Sequence, residues 1–208
     1  MADASAGRPG GAVVPQPRLL ITPAAASGGP YPDRVASGDT SIRLIADGDA
    51  EVLAGQLARD AEAFERWEPF RAPEFFTAAG QRRRIERLLA RHARGEIWPG
   101  VILAGQDVIG QITVQNIEYG PVRGASLGYS VATTHQGQGH ATRAVGLATE
   151  LMAGQLRLHR AQATTQLDNV GSQHVLANNA FIPFGIAHAQ ILLGGRWRDV
   201  IMWERLLE

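Results

Sequence analysis

The stretch Leu127-Gly128-Tyr129-Ser130-Val131-Ala132-Thr133-Thr134-His135-Gln136-Gly137-Gln138-Gly139-His140-Ala141-Thr142 passes from a strand, through small residues, into a helix. Glycine at 137 and 139 lets the backbone turn sharply and approach a ligand with no Cβ in the way. The first N–H groups of the following helix lack internal partners and lie at the positive end of its dipole. Such a terminus suits phosphate or pyrophosphate. A glycine-rich turn alone reads equally well as a ligand cradle or as a plain strand-to-helix connection. A dinucleotide fingerprint wants a third glycine at 142, where Thr stands, and an early β-α-β unit.

Working outward, Ala125–Thr133 follows two other strand-like segments, Val101–Ala104 and Val108–Ile117, across short turns, which argues for an antiparallel meander. A helix is expected over about 139–156, a strand over Arg160–Gln166, a short helix over about 170–178, and two last strands over 182–192 and 196–207. Upstream, the folded part is expected to begin with the strand Ser41–Ala46. Asp47 then caps a helix carrying Val52, Leu53, Leu57, Phe64 and Trp67. A second helix, about Thr77 to Arg94, places Ile85, Leu88, Leu89 and His92 on one stripe. From Asp47 to Glu68 seven acids face two arginines, whereas the second helix carries six arginines against Glu86. The opposite excesses suggest neighbouring helices, with a solvated Arg face preferred over a partner surface. Meander first and β-α-β after it implies a mixed sheet covered by helices. Residues 1–39, rich in Ala, Gly, Pro and Ser, read as a mobile extension, although Arg18–Thr22 has the composition of an edge strand.

Composition narrows the chemistry. The 208 residues hold 20 basic and 20 acidic side chains, so no net field draws the chain to nucleic acid or membrane. There is no lysine, which excludes phosphate-loop NTPases, protein kinases and Schiff-base enzymes. With no cysteine there is neither a disulfide nor a thiolate nucleophile. No apolar run is long enough for a membrane span and no secretory signal is evident, so a cytoplasmic address is expected by default. His135, His140, His159 and His174 fall at no usual ligand spacing, and no metal is expected. Trp197 and Trp203 read as packing aromatics at the end of the sheet.

Gln136-x-x-Gly139-x-Ala141 resembles the signature of the GNAT acyltransferase superfamily, usually written Q/R-x-x-G-x-G/A. Leu158-His159-Arg160, Asn169-x-x-Ser172, Val175-Leu176, Phe181 and Gly195-Arg196-Trp197-Arg198-Asp199-Val200 follow in register. Together they look like the Rim-type branch, which acetylates N-termini of ribosomal proteins, over about residues 40–207. One departure is Ala180, where that branch usually has Gly.

The resemblance implies an α+β fold of three layers. Its mixed, mostly antiparallel sheet has about seven strands, helices on both faces and a splayed central parallel pair. Residues 40–208 would form a single N-acetyltransferase domain. The strand Leu127–Val131 would carry a bulge, and the pantetheine arm of acetyl-CoA would pair with main chain near Tyr129, Ser130 and Val131. An exposed N–H there would polarise the thioester carbonyl. Gln136 and Gly137 would belong to the cofactor-binding turn, and the N–H groups of Gln138, Gly139, His140, Ala141 and Thr142 would take the pyrophosphate. Asn169 would contact pantetheine, and Ser172 would protonate the departing thiolate, although both also suit ordinary helix capping. The amine acceptor is open between a peptide N-terminus and a small molecule, and a non-catalytic acyl-CoA-binding module is the other class. Glu118 and Glu68 are the candidate bases. The assembly is expected to be a monomer or homodimer.

Overall fold

Alternating apolar side chains and short turns build the sheet, which is seen in a computed structural model describing residues 35–207. The expectations for residues 1–34, including the strand Arg18–Thr22, lie outside the described residues. The strands are β1 (Val35–Ser37), β2 (Thr40–Leu44), β3 (Trp98–Ala104), β4 (Asp107–Glu118), β5 (Gly124–Val131), β6 (Arg160–Gln166), β7 (Ile182–Leu193) and β8 (Arg196–Leu206). Among the described residues they form one eight-stranded sheet in the order β1-β2-β3-β4-β5-β6-β8-β7. Seven strands were expected. The eighth is β1, three residues read as part of the extension, which turn at Gly38 and pair antiparallel with β2.

Among the described residues four helices cover the sheet: α1 (Ala50–Phe64), α2 (Ala78–Ala93), α3 (His140–Gly154) and α4 (Val170–Ala177). On one face α3 buries Ala144, Val145, Ala148, Leu151 and Met152 with Ile112, Val114, Leu127, Ala161, Ala163 and Trp203. Full burial of each large side chain there contributes about 1.5–3 kcal/mol. On the other face Leu53 of α1 and Ile85 of α2 pack with Val101, Leu103 and Val108. Helices therefore lie on both faces, giving three layers. No helix among the described residues is long and apolar enough to cross a membrane.

Local chemistry explains the helix ends. Thr77 caps α2 by accepting from the Gly80 N–H at 3.0 Å. The first helix starts later than expected, because Asp47–Asp49 form a 3-10 turn and Asp49 stands at the N-cap. Asp49 instead holds Arg43 through two bonds of 2.7 and 2.8 Å. Trp67 lies beyond α1, whose turns stop at Phe64. The opposite charges of the first two helices do meet, in the ion pair of Arg82 with Glu51.

Two further expectations change. Trp203 is buried, its Nε1 donating to Thr165 at 3.0 Å, but Trp197 is 63% exposed. It sits near the tip of the β7–β8 hairpin opposite Leu192, where no helix covers it. The bulge expected within Leu127–Val131 is absent, since the ladder from Gly110↔Val131 to Gln115↔Ser126 is unbroken. The extra residue falls on β4 between Gln115 and Glu118, where Asn116 has φ 55°.

Candidate active site

Among the described residues, the only parallel pair in the sheet is also its weak seam. β5 and β6 are in register at Gly124↔Arg160, Ala125↔Ala161 and Ser126↔Gln162, and there the pairing stops. Beyond it Leu127–Val131 and Ala163–Gln166 diverge. The gap belongs to a cleft of about 590 Å³, a volume in the range of small-molecule sites. Its walls are β5 and β6, the turn before α3, the start of α4, Phe64 at the end of α1, and Trp67 and Glu68 just beyond it.

At one end of the cleft lies the glycine turn. Gly137 (φ 73°) and Gly139 (φ 79°) adopt left-handed backbone that side-chain-bearing residues avoid. Gln136 donates to the Val131 carbonyl at 3.0 Å and Gln138 to the Thr134 carbonyl at 3.1 Å, so the turn is braced from within. Gly139 occupies the N-cap of α3 and no side chain caps that helix. Its first N–H groups therefore have no side-chain partner, as an anion-binding helix terminus requires. Gln136, Gly137, Gly139, His140, Ala141 and Thr142 line the cleft, whereas Gln138 does not.

His140, the first residue of α3, is buried. Its Nδ1 lies 2.8 Å from Thr40 Oγ1 and 3.2 Å from the Arg143 guanidinium. Arginine only donates, so Nδ1 accepts and the ring proton is assigned to Nε2. Burial lowers the pKa of the imidazole, with Asp39 opposing and Arg143 adding to the effect. Arg143 also donates to Thr40 at 2.7 Å, to Asp39 at 3.0 Å and to the Gln138 carbonyl at 3.2 Å. The β1–β2 turn is thereby clipped to the start of α3.

At the other end are two hydroxyls. Tyr129 Oη lies 2.8 Å from Ser172 Oγ and 3.2 Å from the Ser172 carbonyl. Burial pushes the Tyr129 phenol up to about 12, so it stays protonated at ordinary pH. Asn169 accepts from the Ser172 N–H at 3.1 Å, so it does cap α4. Asn169, Ser172, Tyr129, Ser130 and Val131 all line the cleft. Glu118 does not: it is exposed at the end of β4, opposite Gly124 and past the Asn116 bulge. The carboxylate that lines the cleft is Glu68, with Arg71 3.7 Å away.

Sequence reasoning missed the polar contacts that tie α1 to the cleft. Asp60, 6% exposed, accepts from Thr133 Oγ1 at 2.6 Å and Thr133 N–H at 3.0 Å. Buried Gln56 donates to the Val108 carbonyl. The available signal was their position, since Gln56 and Asp60 share the stripe of Leu53 and Phe64 at helical spacing. Arg66 pairs with Asp168 at 2.6 Å, and Gln166 donates to the Arg66 carbonyl at 3.1 Å. These join residues about a hundred positions apart and left no local signal.

A parallel pair that opens into a cleft, with an uncapped helix N-terminus at one end and paired hydroxyls at the other, is the arrangement of an acyl-CoA-dependent N-acyltransferase. The chain belongs to the acetyltransferase (GNAT) family, whose domain model matches residues 40–182, and it is an acetyl-CoA-dependent N-acetyltransferase whose similar proteins include Rim-type ribosomal-protein acetyltransferases. It is 32% identical over 160 residues to a probable N-acetyltransferase of Bacillus subtilis, covering 76% of this chain and 88% of that one. The ribosomal-protein-S5-alanine acetyltransferase of Vibrio fischeri superposes with a TM-score of 0.80 at 28% identity, covering 84% and 97% of the two chains. Mycobacterium smegmatis RimJ, solved in complex with CoA-disulfide, gives 0.78 at 27%, covering 80% and 81%.

Proposed function

We propose that this chain moves the acetyl group of acetyl-CoA to the N-terminal α-amine of a peptide, by direct attack in a ternary complex. The observation that carries the reading is the course of the cleft, from the uncapped start of α3 to Glu68. A thioester held from one end meets an amine arriving from the other. The amine nitrogen adds to the thioester carbonyl and a main-chain N–H of β5 steadies the oxyanion. The C–S bond then breaks and the thiolate leaves. Ser172, bonded to Tyr129, supplies the proton to sulfur, and Glu68 takes the proton lost by nitrogen.

Amine basicity favours this acceptor. An α-amine, with pKa about 7.7–8.0, is partly neutral near pH 7, whereas a lysine amine near 10.4 is almost wholly charged. The relatives named for alanine acetylation of a ribosomal protein support a peptide over a small amine. A cytoplasmic site of action goes with the same reading.

Incubating the protein with labelled acetyl-CoA, cell-extract proteins and a panel of small amines, followed by mass spectrometry, tests it. Label on protein N-termini is the expected result. Label confined to small amines would overturn the peptide acceptor, and CoA binding without any turnover would overturn the enzyme's proposed chemistry.

A further inference from the structure

Two paired strands in a sheet lie about 4.8 Å apart, and a gap between them tends to close unless something holds it. In this protein the far ends of β5 and β6 are held by one element. Asp60 grips Thr133, just past the end of β5, through both the backbone N–H and the hydroxyl. Arg66 grips Asp168, just past the end of β6, while Gln166 at the end of β6 donates to the Arg66 carbonyl. Arg66 lies six positions after Asp60, and both stand in α1 or the helical turn that continues it. At 1.5 Å per residue they span roughly 9 Å, nearly twice the spacing of paired strands.

We infer that the C-terminal end of α1 is a strut that keeps the slot between β5 and β6 open for the pantetheine arm, with Asp60, Arg66 and Asp168 as its positioning residues. This rests on the proposed use of acetyl-CoA. The strut preorganises the slot, so the ligand does not spend binding free energy in parting the strands. It touches neither the thioester nor the amine. Its two ends differ in kind: the Asp60 end is buried, and the Arg66–Asp168 end is an exposed pair at 61% and 63%. Trp67 and Glu68 follow directly, so the same strut aims the acceptor wall.

The test compares two ligands, acetyl-CoA and the phosphoadenosine diphosphate half of CoA, which lacks the pantetheine arm. Arg66→Asp sets two carboxylates against each other at the exposed end. It should weaken acetyl-CoA binding by about five-fold, in line with one exposed charge pair, and leave the fragment unchanged. The swap Arg66→Asp with Asp168→Arg should restore acetyl-CoA affinity. Because the chain has no cysteine, Arg66→Cys with Asp168→Cys can also be bridged by a short bis-maleimide. The bridged protein should bind and turn over acetyl-CoA normally. Unchanged acetyl-CoA affinity in Arg66→Asp, equal weakening of both ligands, or failure of the swap would overturn the strut. So would loss of binding on bridging, which would make this segment a lid that must open. Failure of the wild-type protein to bind acetyl-CoA would instead defeat the proposed function.

Discussion

At the scale of single residues, the proposed protonation of the departing thiolate rests on the contact between Tyr129 and Ser172. A serine hydroxyl alone is a poor acid, but one bonded at 2.8 Å to a phenol that stays protonated can pass its proton and be resupplied. Ser172→Ala should lower kcat by about 10²-fold while the Kd for acetyl-CoA stays within about two-fold. Tyr129→Phe should lower it less, and the double variant should be no worse than Ser172→Ala, because the two act as a unit. An unchanged kcat in Ser172→Ala would remove that residue from the chemistry. Ala180 offers a prediction about stability. It stands at φ 57°, left-handed backbone that costs a side-chain-bearing residue about 1–2 kcal/mol. Glycine there removes most of that cost against an entropic loss of about 0.5–1 kcal/mol. Ala180→Gly should therefore raise Tm by about 2 °C, and a fall would show that the turn tolerates alanine without strain. Tyr129 and Ser172 were each legible in the sequence, carried by a family motif. Their mutual bond was not, because nothing in spacing relates a strand position to a helix 43 residues later. Glu118 was misplaced for a different reason: the bulge at Asn116 leaves it on the same face as Gln115, but it lies opposite Gly124, where β5 is still paired with β6 and the cleft has not opened.

Among the elements, the start of α3 depends on a clip from the opposite end of the chain. Thr40 and Arg143 both donate to a His140 ring that burial keeps neutral. A histidine whose folded pKa is depressed contributes stability at pH above its unfolded value of 6.5, and loses it as pH falls toward the folded value. Protonation would remove the acceptor and place a cation beside Arg143 at the positive end of a helix. Melting at about pH 7.5 and about pH 5.5 should show a drop on acidification that His140→Gln reduces. An equal drop in both proteins would assign it to other groups. Elements with a strong period were legible: β6 and β8 lie within a residue of their expected bounds, and α3 within two. Elements held by distant partners were not. Three residues, Val-Ala-Ser, carry no strand signal of their own, and β1 exists because β2 pairs with it and α3 packs beside it.

Taken as a whole molecule, the sheet is two unequal plates. β1 to β5 form a continuous antiparallel plate, β6 to β8 another, and only the short parallel ladder from Gly124 to Ser126 joins them. Helix α3 packs across this seam, with Leu127 on one side and Ala161 and Ala163 on the other in the same apolar cluster. A ligand seated between β5 and β6 would add a second line of contact along the part of the seam that the ladder leaves open. At 100 times its Kd, acetyl-CoA should stabilise the fold by about 2.7 kcal/mol, a Tm rise on the order of 5–10 °C. The distribution of that gain separates a bridging ligand from one merely attached to the α3 turn. Bridging predicts that amide exchange slows in β6 and β8 as much as in β5 and the first turn of α3, by up to about a hundred-fold where exchange needs global opening. Binding at the turn alone would slow exchange around residues 136–142 and leave Arg160–Gln166 unchanged. The phosphoadenosine diphosphate fragment should give that restricted pattern, because it reaches the anion site and not the seam. If acetyl-CoA and the fragment protected the same amides, the cleft between β5 and β6 would not be where the pantetheine arm lies.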